Sequence, residues 1–446
     1  MGRKRRSGQM FLRLSVLLCL TVQAAVCAGC SVMGGSKGAA MGTELAGSGK
    51  IKLVLWGGVP PEAGPDAVVQ AWNASHPGIA LEYVRYVNDD DGNLKLDTAL
   101  MAGQQVDLYF NYSFSQLERR IDAGVALDLS GFDDYDPDVR MGEDAAAWKV
   151  NGRYYGVPTK QNYYFVALNK EALEAANLPI PLSWTWDEMR QYARVLSRTY
   201  KYGLLQHLEP FSDPIDSLLT RVGYTDGSGH SRMDHPLVAH WLETMRAMMM
   251  DDRSTPEYGV QLTSKMPVEQ NFLSGEAAML NIGEWLFRSA NNMKDYPRNF
   301  TIAFAPVPRL TEQEDDYVPR GGLGDVISIH PSSAHIAAAW EFVKWYADGG
   351  MLPMAEGGRF PASQGADRDV AMNYILGQQG PVLYDIDSLE RVLHGRKTPN
   401  FVRSVPQPVL DLRIEEYEKY FLGVQTLEQT VGNMSRRHME YLSDKR

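Results

Sequence analysis

Short apolar runs alternate with amphipathic helical segments in the first part of the chain, and this alternation restricts the possible folds most. The pattern predicts strands over 51–56, 79–84 and 106–110, and helices around Val68 and Trp72, over 94–101 and over 114–123. A helix between two strands is incompatible with a tight hairpin, so strands connected in this way pair in parallel. The alternation therefore indicates an α/β fold.

Two later helices begin with the reciprocal pattern of a capping box. Thr185 is followed three residues later by Glu188, and Thr426 is followed at the same spacing by Gln429. A further amphipathic helix is predicted over 333–347. The helical part of the fold thus extends to the end of the chain.

Residues 154–168 join two apolar strand-like runs through a more polar stretch over 158–162, which we interpret as a hinge. No repeat of fixed period is present. Five tryptophans lie at helical spacing and are expected in the core: Trp72, Trp184, Trp186, Trp340 and Trp345.

The chain has 446 residues, which at roughly 150 residues per domain suggests two or three domains. With 44% hydrophobic and 22% charged residues, its composition is that of an ordinary globular protein. All three cysteines lie at or before position 30. A body held together by disulfides is therefore excluded.

The N-terminal segment has the layout of an export signal. Four basic residues over 3–6 precede an apolar run over 14–22, and small residues lead up to Cys30. The run is too short for a comfortable membrane span. We assign residues 1–29 to a lipoprotein signal peptide and residues 30–49, which are rich in Gly, Ala and Ser, to a flexible tether.

The charge balance argues against a nucleic-acid partner. Removal of residues 1–29 takes away five Lys and Arg and no acid, so the formal net charge changes from −11 to −16. Proteins that bind a phosphate backbone concentrate basic residues on one face, and no such cluster follows residue 30. We expect no nucleic acid among the partners.

Motifs for metal, nucleotide or catalytic chemistry are not found in the body of the sequence. It lacks H-E-x-x-H, paired Cys or His at metal spacing, and a phosphate-binding G-x-x-x-x-G-K-[ST]. The nine histidines are scattered singly. We therefore expect no cofactor, no metal and no catalytic residues, although the separation of carboxylates, on which glycoside hydrolysis depends, cannot be seen in a sequence.

A series of landmarks runs from residue 51 to the C-terminus. They are WNASHPGI at 72–79, LMAG at 100–103 with VDL at 106–108, NGRYYGVP at 151–158, WTWDE at 184–188, FLSGEAAM at 272–279, GEW at 283–285, GG at 321–322 and AAWEFVK at 338–344. In this order they resemble the extracellular solute-binding proteins of family 1, the maltose-binding-protein-like carbohydrate-binding lipoproteins of ABC importers. Two departures are Val106, where the family usually has Pro, and the doubled Tyr154 and Tyr155.

The resemblance implies a periplasmic-binding-protein-like α/β fold with two lobes around a hinged ligand cleft. On this basis we assign lobe one to residues 50–158 and 322–375, and lobe two to residues 159–321 and 376–446. The small residues before Cys30 resemble a lipobox, which implies that this cysteine is acylated and anchors the exported protein to the outer face of the cytoplasmic membrane.

The function implied by the resemblance is capture of a mono- or oligosaccharide by hinge closure and its delivery to the transmembrane subunits of an ABC permease. Such a protein would act as a monomer, would not be an enzyme and would touch the membrane through its lipid. Two alternatives remain open: an exported lipoprotein enzyme acting on polysaccharide, and a binding protein for a non-sugar solute.

Sugars are bound by flat aromatic faces and by planar polar groups, and several residues offer these at the ends of predicted strands. Trp285 and the adjacent Glu284 match the family's position for a sugar-stacking aromatic, against the alternative of a core tryptophan. Trp56 ends the first strand, where it would stack on ligand or close the sheet edge. Asn111 and Tyr112 follow the third strand and offer an amide and a second aromatic surface.

The crossover between the lobes supplies a second group of candidates. Gln161, Asn162 and Tyr163 place polar groups inside an otherwise apolar run, where they need partners. We predict that they contact ligand.

The return crossover supplies a third group. Arg320 and Asp325 flank a glycine-rich turn that contains Gly322, and they would bind ligand or latch the hinge through an ion pair. Arg359 would contact ligand hydroxyls or an acid or, as we expect more readily, remain solvated.

Overall fold

A computed structural model of the chain describes residues 50–208, 214–313, 321–377, 379–394 and 406–444. The assigned signal peptide, the tether, the proposed lipidation site Cys30 and the candidate ligand residue Arg320 lie outside the described residues. Among the helices that are described, none combines the length and the apolar character needed to cross a membrane.

Nine β-strands are present in the described ranges. They are β1 (Ile51–Gly57), β2 (Ile79–Arg85), β3 (Leu108–Asn111), β4 (Val157–Asn169), β5 (Tyr202–Gln206), β6 (Ala277–Gly283), β7 (Ile302–Pro306), β8 (Gly321–Ile329) and β9 (Phe360–Pro361).

The α-helices of the same ranges surround these strands. They are α1 (Pro65–Ser75), α2 (Asp90–Met101), α3 (Phe114–Asp122), α4 (Pro137–Met141), α5 (Lys170–Ala175), α6 (Trp186–Leu196), α7 (Ile215–Val222), α8 (Pro236–Met250), α9 (Tyr258–Ser264), α10 (Val268–Leu273), α11 (Leu286–Ala290), α12 (Ile336–Trp345), α13 (Arg368–Leu376), α14 (Gly380–Leu383), α15 (Ile386–His394), α16 (Gln407–Phe421) and α17 (Leu427–Asp444).

The first three strands pair in parallel, as the alternation of strands and helices predicts: β1 lies between β2 and β3. The sheet as a whole is mixed, because β8 inserts antiparallel between β3 and β4. Its strand order is β2-β1-β3-β8-β4-β6-β5, and β7 and β9 also pair with β4. A return strand from far along the chain therefore completes the part of the sheet that begins with β1.

Strand β4 is shared by two sheet regions. Its first half pairs with β8 and β9, and its second half pairs with β6 and β7. The two strand-like runs predicted on either side of residues 158–162 form one continuous strand of 13 residues, β4. The polar stretch remains extended because Lys160, Gln161 and Asn162 pair with residues of β8.

Two hydrophobic cores lie on opposite faces of the first sheet region. Leu53 and Leu55 of β1 pack with Trp72 of α1 and with α12. Val54 and Trp56 point to the other face and pack with Leu96 of α2. This alternation with period two is what a strand buried on both faces requires.

The second half of β4 follows the same rule. Val166 and Leu168 enter the core formed with α6, α8 and α16, whereas Phe165 and Ala167 enter a core formed with α10, α11 and α15. Helix α13, assigned above to lobe one, contributes Ile375 to this last core. We therefore propose that the chain enters lobe two before α13 and not after it.

Several local predictions are confirmed. Both capping boxes are formed, at Thr185 with Glu188 and at Thr426 with Gln429. Four of the five tryptophans expected in the core are at least 95% buried, and Trp345 packs partly buried against the same core as Trp72.

One strand begins later than predicted. Strand β3 starts at Leu108 and not at Val106, because the carboxylate of the intervening Asp107 accepts a hydrogen bond from the backbone N–H of Val54 at 2.8 Å. The Asp107 side chain thus takes the place of a backbone carbonyl as the acceptor for the Val54 N–H.

Candidate functional site

The centre of β4 is where the core opens to solvent. Residues 157–160 and 165–169 are buried, whereas residues 161–164 are half-buried in an unbroken run. The run coincides with the change of partners, since Tyr163 still pairs with β8 and Tyr164 already pairs with β6. The four side chains Gln161, Asn162, Tyr163 and Tyr164 therefore lie at the junction of the two sheet regions.

Trp285 lies beside this run. Its indole ring is half-buried and meets the ring of Tyr164 edge to face, with centroids 5.8 Å apart. The indole folds back over Gly283, where a Cβ atom would come within 2.0 Å of the ring. Glycine at this position is thus required for the tryptophan to lie where it does, which explains the Gly-Glu-Trp pattern.

Two tyrosines line the carboxyl ends of the parallel strands. The Tyr112 hydroxyl accepts a hydrogen bond from the backbone N–H of Gly58 at 2.6 Å, and the Tyr83 hydroxyl donates to the carbonyl of Val59 at 2.7 Å. Burial raises the pKa of both hydroxyls well above the usual value. Both are therefore neutral hydrogen-bonding groups at physiological pH.

Four charged side chains form a buried network beneath the junction, which we call the charge quartet: Lys160, Glu284, Asp325 and Arg359. Each is at least 92% buried. Lys160 Nζ lies 2.5 Å from Glu284 Oε1, close enough for an ion pair although the two groups are not aligned as a hydrogen bond. It also lies 3.7 Å from Asp325 Oδ1, and Arg359 Nε donates to Asp325 Oδ2 at 2.9 Å.

The quartet is held in place by the backbone around it. The second oxygen of Glu284 accepts a hydrogen bond from the N–H of Tyr163 at 2.8 Å, and the Thr159 hydroxyl donates to the carbonyl of Asp325 at 2.7 Å. Asp325 has a left-handed backbone with φ of 47°, which is uncommon for a residue other than glycine. These backbone contacts fix the carboxylates of Glu284 and Asp325 within ion-pair distance of Lys160 and Arg359.

Both cations of the quartet remain charged. Burial opposes the charged form of Lys160, but Asp325 and Glu284 outweigh it and raise the lysine pKa. Burial likewise opposes the charged form of Arg359, but the nearby carboxylate of Asp325 outweighs burial and raises the arginine pKa. The expectation that Arg359 is solvated is wrong, because only 8% of the residue is exposed.

Most of the candidate ligand residues lie together at this junction. The Gln161 amide donates to the carbonyl of Gly322 at 3.2 Å, and the Asn162 amide packs against Gly324, where a Cβ atom would lie 2.7 Å from it. Tyr163 meets Phe360 edge to face with centroids 4.7 Å apart. With Glu284, Trp285, Asp325 and Arg359 they occupy one region.

Trp56 and Asn111 lie elsewhere. Trp56 is 7% exposed and packs with Leu96 in the core between β1 and α2. Asn111 is fully buried; its amide donates to Val326 and Ser328 and accepts from Arg120. The structure therefore buries both side chains among protein atoms, although the indole N–H of Trp56 makes no hydrogen bond to the described residues.

Three residues of the junction were not singled out from the sequence as ligand residues: Lys160, Tyr83 and Tyr164. A lysine inside an apolar strand-like run indicates a buried charge that needs a carboxylate partner, and Lys160 lies in such a run. Tyr83 gave none, since it lies in an ordinary strand, and its position depends on the contact with Val59. No group of three or more His, Cys, Asp or Glu arranged to hold a metal ion is found among the described residues.

Comparison with known families settles the identity of the fold. Residues 58–348, more than half of the chain, match the model of the bacterial extracellular solute-binding proteins. The chain belongs to this family. As an extracellular solute-binding protein it has the two-lobed α/β fold that the order of its sequence landmarks implied.

One similar protein is an uncharacterised lipoprotein in the oleD 5′ region of Streptomyces antibioticus. It is 30% identical over 169 residues, which is 35% of this chain and 36% of that protein. The match therefore spans little more than a third of the relative's length.

Solved solute-binding proteins superpose over most of the chain. A Listeria monocytogenes ABC substrate-binding protein in complex with cycloalternan has a TM-score of 0.68 at 18% identity, over 88% of this chain and 99% of that one. Maltose-bound MalE3 of T. maritima gives 0.68 at 19%, over 88% and 100%. The GacH receptor of Streptomyces glaucescens, solved unliganded and with acarbose, gives 0.68 at 17%, over 89% and 99%.

Proposed function

We propose that this solute-binding protein captures a carbohydrate at the junction of its two lobes. The observation that carries the proposal is the half-buried run of residues 161–164 beside Trp285. Aromatic faces pack against the C–H surfaces of sugar rings, and planar amides such as those of Gln161 and Asn162 match their hydroxyl groups. Such a surface has the composition of a small-molecule site that recognises hydroxyl-rich ligands.

The solved relatives support the class of ligand. Three of them are named with cycloalternan, maltose or acarbose bound. Their identities to this chain are below 20%, so what transfers from them is the fold, and the ligand class rests on the side chains at the junction.

Capture proceeds, in this proposal, by closure of the two lobes around the ligand, and the closed form delivers it to the transmembrane subunits of an ABC permease. The lipid on Cys30 keeps the protein at the outer face of the cytoplasmic membrane, with residues 31–49 as tether. The exported lipoprotein is a receptor and does not transform its ligand. Among the described residues, the buried carboxylates Glu284 and Asp325 of the junction are each engaged by a cation, so they do not form a free pair of acid and base.

A thermal-shift screen of the purified protein against a panel of glycans tests the proposal. We expect at least one carbohydrate to raise the melting temperature and to be recovered chemically unchanged by mass spectrometry. Accumulation of a shortened product would instead establish an enzyme acting on polysaccharide. A shift with an amine or peptide and with no glycan would establish a receptor for a non-sugar solute.

The lipid anchor has its own test in two cysteine variants. We expect wild-type protein and Cys27→Ser to sediment with membranes and to incorporate labelled palmitate, and Cys30→Ser to do neither. Labelling of the Cys30→Ser variant would contradict the assignment of Cys30.

A further inference from the structure

The charge quartet at the lobe junction is balanced. It contains two cations, Lys160 and Arg359, and two carboxylates, Glu284 and Asp325, and each cation lies within 3 Å of a carboxylate oxygen. Because all four side chains are at least 92% buried, water screens them poorly and each depends on its partner.

An anionic ligand would have to compete with these carboxylates. Two cations already balance two carboxylates here, so a ligand carboxylate would bring a third negative charge to the buried group, and an uncompensated charge in the interior is strongly unfavourable. A hydroxyl group brings no charge, and it can donate to a carboxylate or accept from a cation while the ion pairs remain intact.

The surroundings supply no uncompensated buried cation among the described residues. The tyrosine hydroxyls of Tyr83, Tyr112 and Tyr346 are neutral. On the far side of Trp285, Arg288 lies 3.8 Å from the carboxylate of Glu269, which also accepts from the Ser289 hydroxyl.

Two further basic groups lie near the aromatic residues of the junction. His207, 6.5 Å from the Trp285 ring, lies 3.8 Å from Glu269. The positive charge of Arg368 opposes the rise that burial causes in the pKa of Tyr163. Arg368 is exposed to solvent, and its neighbours in the sequence are Asp367 and Asp369. His207 therefore has a carboxylate beside it, and the charge of Arg368 is screened by solvent.

We infer that the site selects uncharged carbohydrates and discriminates against uronic acids and sugar phosphates. The inference rests on the proposed function and adds the charge class of the ligand to it. Selectivity arises from the self-neutralised floor of the site, in which the protein's own carboxylates occupy the positions that an acidic sugar would need.

The test compares pairs of related ligands in which one member is neutral and the other carries uronic acid carboxylates. Galacto- and galacturono-oligosaccharides, and xylo-oligosaccharides with and without a glucuronic acid branch, are titrated calorimetrically at neutral pH into the full-length protein. We expect the neutral member of a bound pair to bind at least about tenfold more tightly. Equal or tighter binding of the uronate overturns the inference and leaves the carbohydrate function standing, whereas no binding by any glycan overturns both.

A variant then tests the cause. Glu284→Gln keeps an oxygen for the N–H of Tyr163 but removes the charge that neutralises Lys160, so the preference for the neutral member should narrow several-fold. Asp325→Asn is the second variant, expected to act in the same way through Arg359. Glu82→Gln, which removes an exposed carboxylate paired with Lys52 on β2, is the matched control and should leave the ratio unchanged. A ratio unaltered in the folded quartet variants would overturn the inference.

Discussion

Glu284 and Trp285 are neighbours in the chain with opposite surroundings. Glu284 is fully buried in the charge quartet, whereas the indole of Trp285 is half-buried beside residues 161–164. The glycine before them allows the ring to fold back over the backbone. The same three residues therefore supply part of the rigid floor and part of the exposed aromatic surface.

Replacing Trp285 separates these roles. We expect Trp285→Ala to weaken carbohydrate binding at least about tenfold and to lower the free energy of unfolding by only about 1 kcal/mol, because the ring is partly solvated already. Calorimetric titration and urea denaturation measure the two effects. The matched control is Trp186→Ala in the core of lobe two, where the tryptophan is fully buried and its loss should cost about 3–5 kcal/mol. Equal destabilisation by both would show that Trp285 is a core residue.

Sequence patterns could predict individual residues only where a local rule applies. The glycine and tryptophan of the Gly-Glu-Trp pattern and the two capping boxes are of this kind. The partners of Lys160 were not predictable, since Glu284 and Asp325 lie more than 120 residues away in the chain. Arg359 was expected at the surface because no local pattern links it to its partner Asp325, 34 residues away.

Elements were predictable for a similar reason. The early strands and helices follow from local periodicity, which is why β1 and β2 begin at the predicted residues and α1 contains Val68 and Trp72. The insertion of β8 between β3 and β4 depends on contacts between residues more than 150 positions apart, and no local pattern specifies it. The continuity of β4 depends on that insertion.

Segment 357–359 packs against the corner at which β6 ends. Gly358 has φ of 84°, and a Cβ atom there would lie 1.9 Å from the carbonyl oxygen of Glu284. We expect Gly358→Ala to lower the free energy of unfolding by about 2–4 kcal/mol, from backbone strain and overpacking together. Gly124→Ala is the control, because Gly124 has φ of 70° with open space around it and should lose only about 1 kcal/mol. Equal losses in urea denaturation would contradict the close contact.

Helices α16 and α17 are joined through one buried carboxylate. Glu416 is 1% exposed and accepts hydrogen bonds from Lys419, Gln425, Asn433 and Arg437. Burial alone would raise its pKa, but the bonds from Lys419, Gln425 and Arg437 outweigh burial and lower the pKa to about 2.

A pKa depressed from 4.5 to about 2 stabilises the folded state above pH 4.5, and this contribution is lost as the pH falls toward 2. We expect Glu416→Gln to reduce the free energy of unfolding by about 3 kcal/mol at pH 7 and by clearly less at pH 3. Urea denaturation at the two pH values measures the difference. Glu440→Gln, which removes an exposed partner of Arg436, should have little effect at either pH. A pH-independent loss in the Glu416 variant would contradict the role of its charge.

At the scale of the whole molecule, two sets of hydrophobic cores are connected through β4 and the strands beside it. The half-buried centre of that strand is where the two meet, and the charge quartet lies directly beneath it. The order of sequence landmarks was enough to predict the two-lobed fold, because it reflects the fold as a whole and no single element. The revised lobe boundary that we propose rests on the packing of α13, which no sequence pattern indicates.

Closure of the lobes predicts a change in overall size. We expect small-angle X-ray scattering to give a smaller radius of gyration when the bound carbohydrate is added at saturating concentration. Trp285→Ala at the same ligand concentration should remain at the unliganded value. An unchanged radius in saturated wild-type protein would show that capture occurs without closure.

The most direct test of the central proposal is a crystal structure of the protein with the carbohydrate found by the glycan screen. We expect a sugar ring stacked on Trp285 at about 4 Å and hydroxyl groups within hydrogen-bond distance of Gln161 or Asn162, with the Lys160 and Glu284 ion pair intact. A sugar bound at any site away from residues 161–164 would contradict the account.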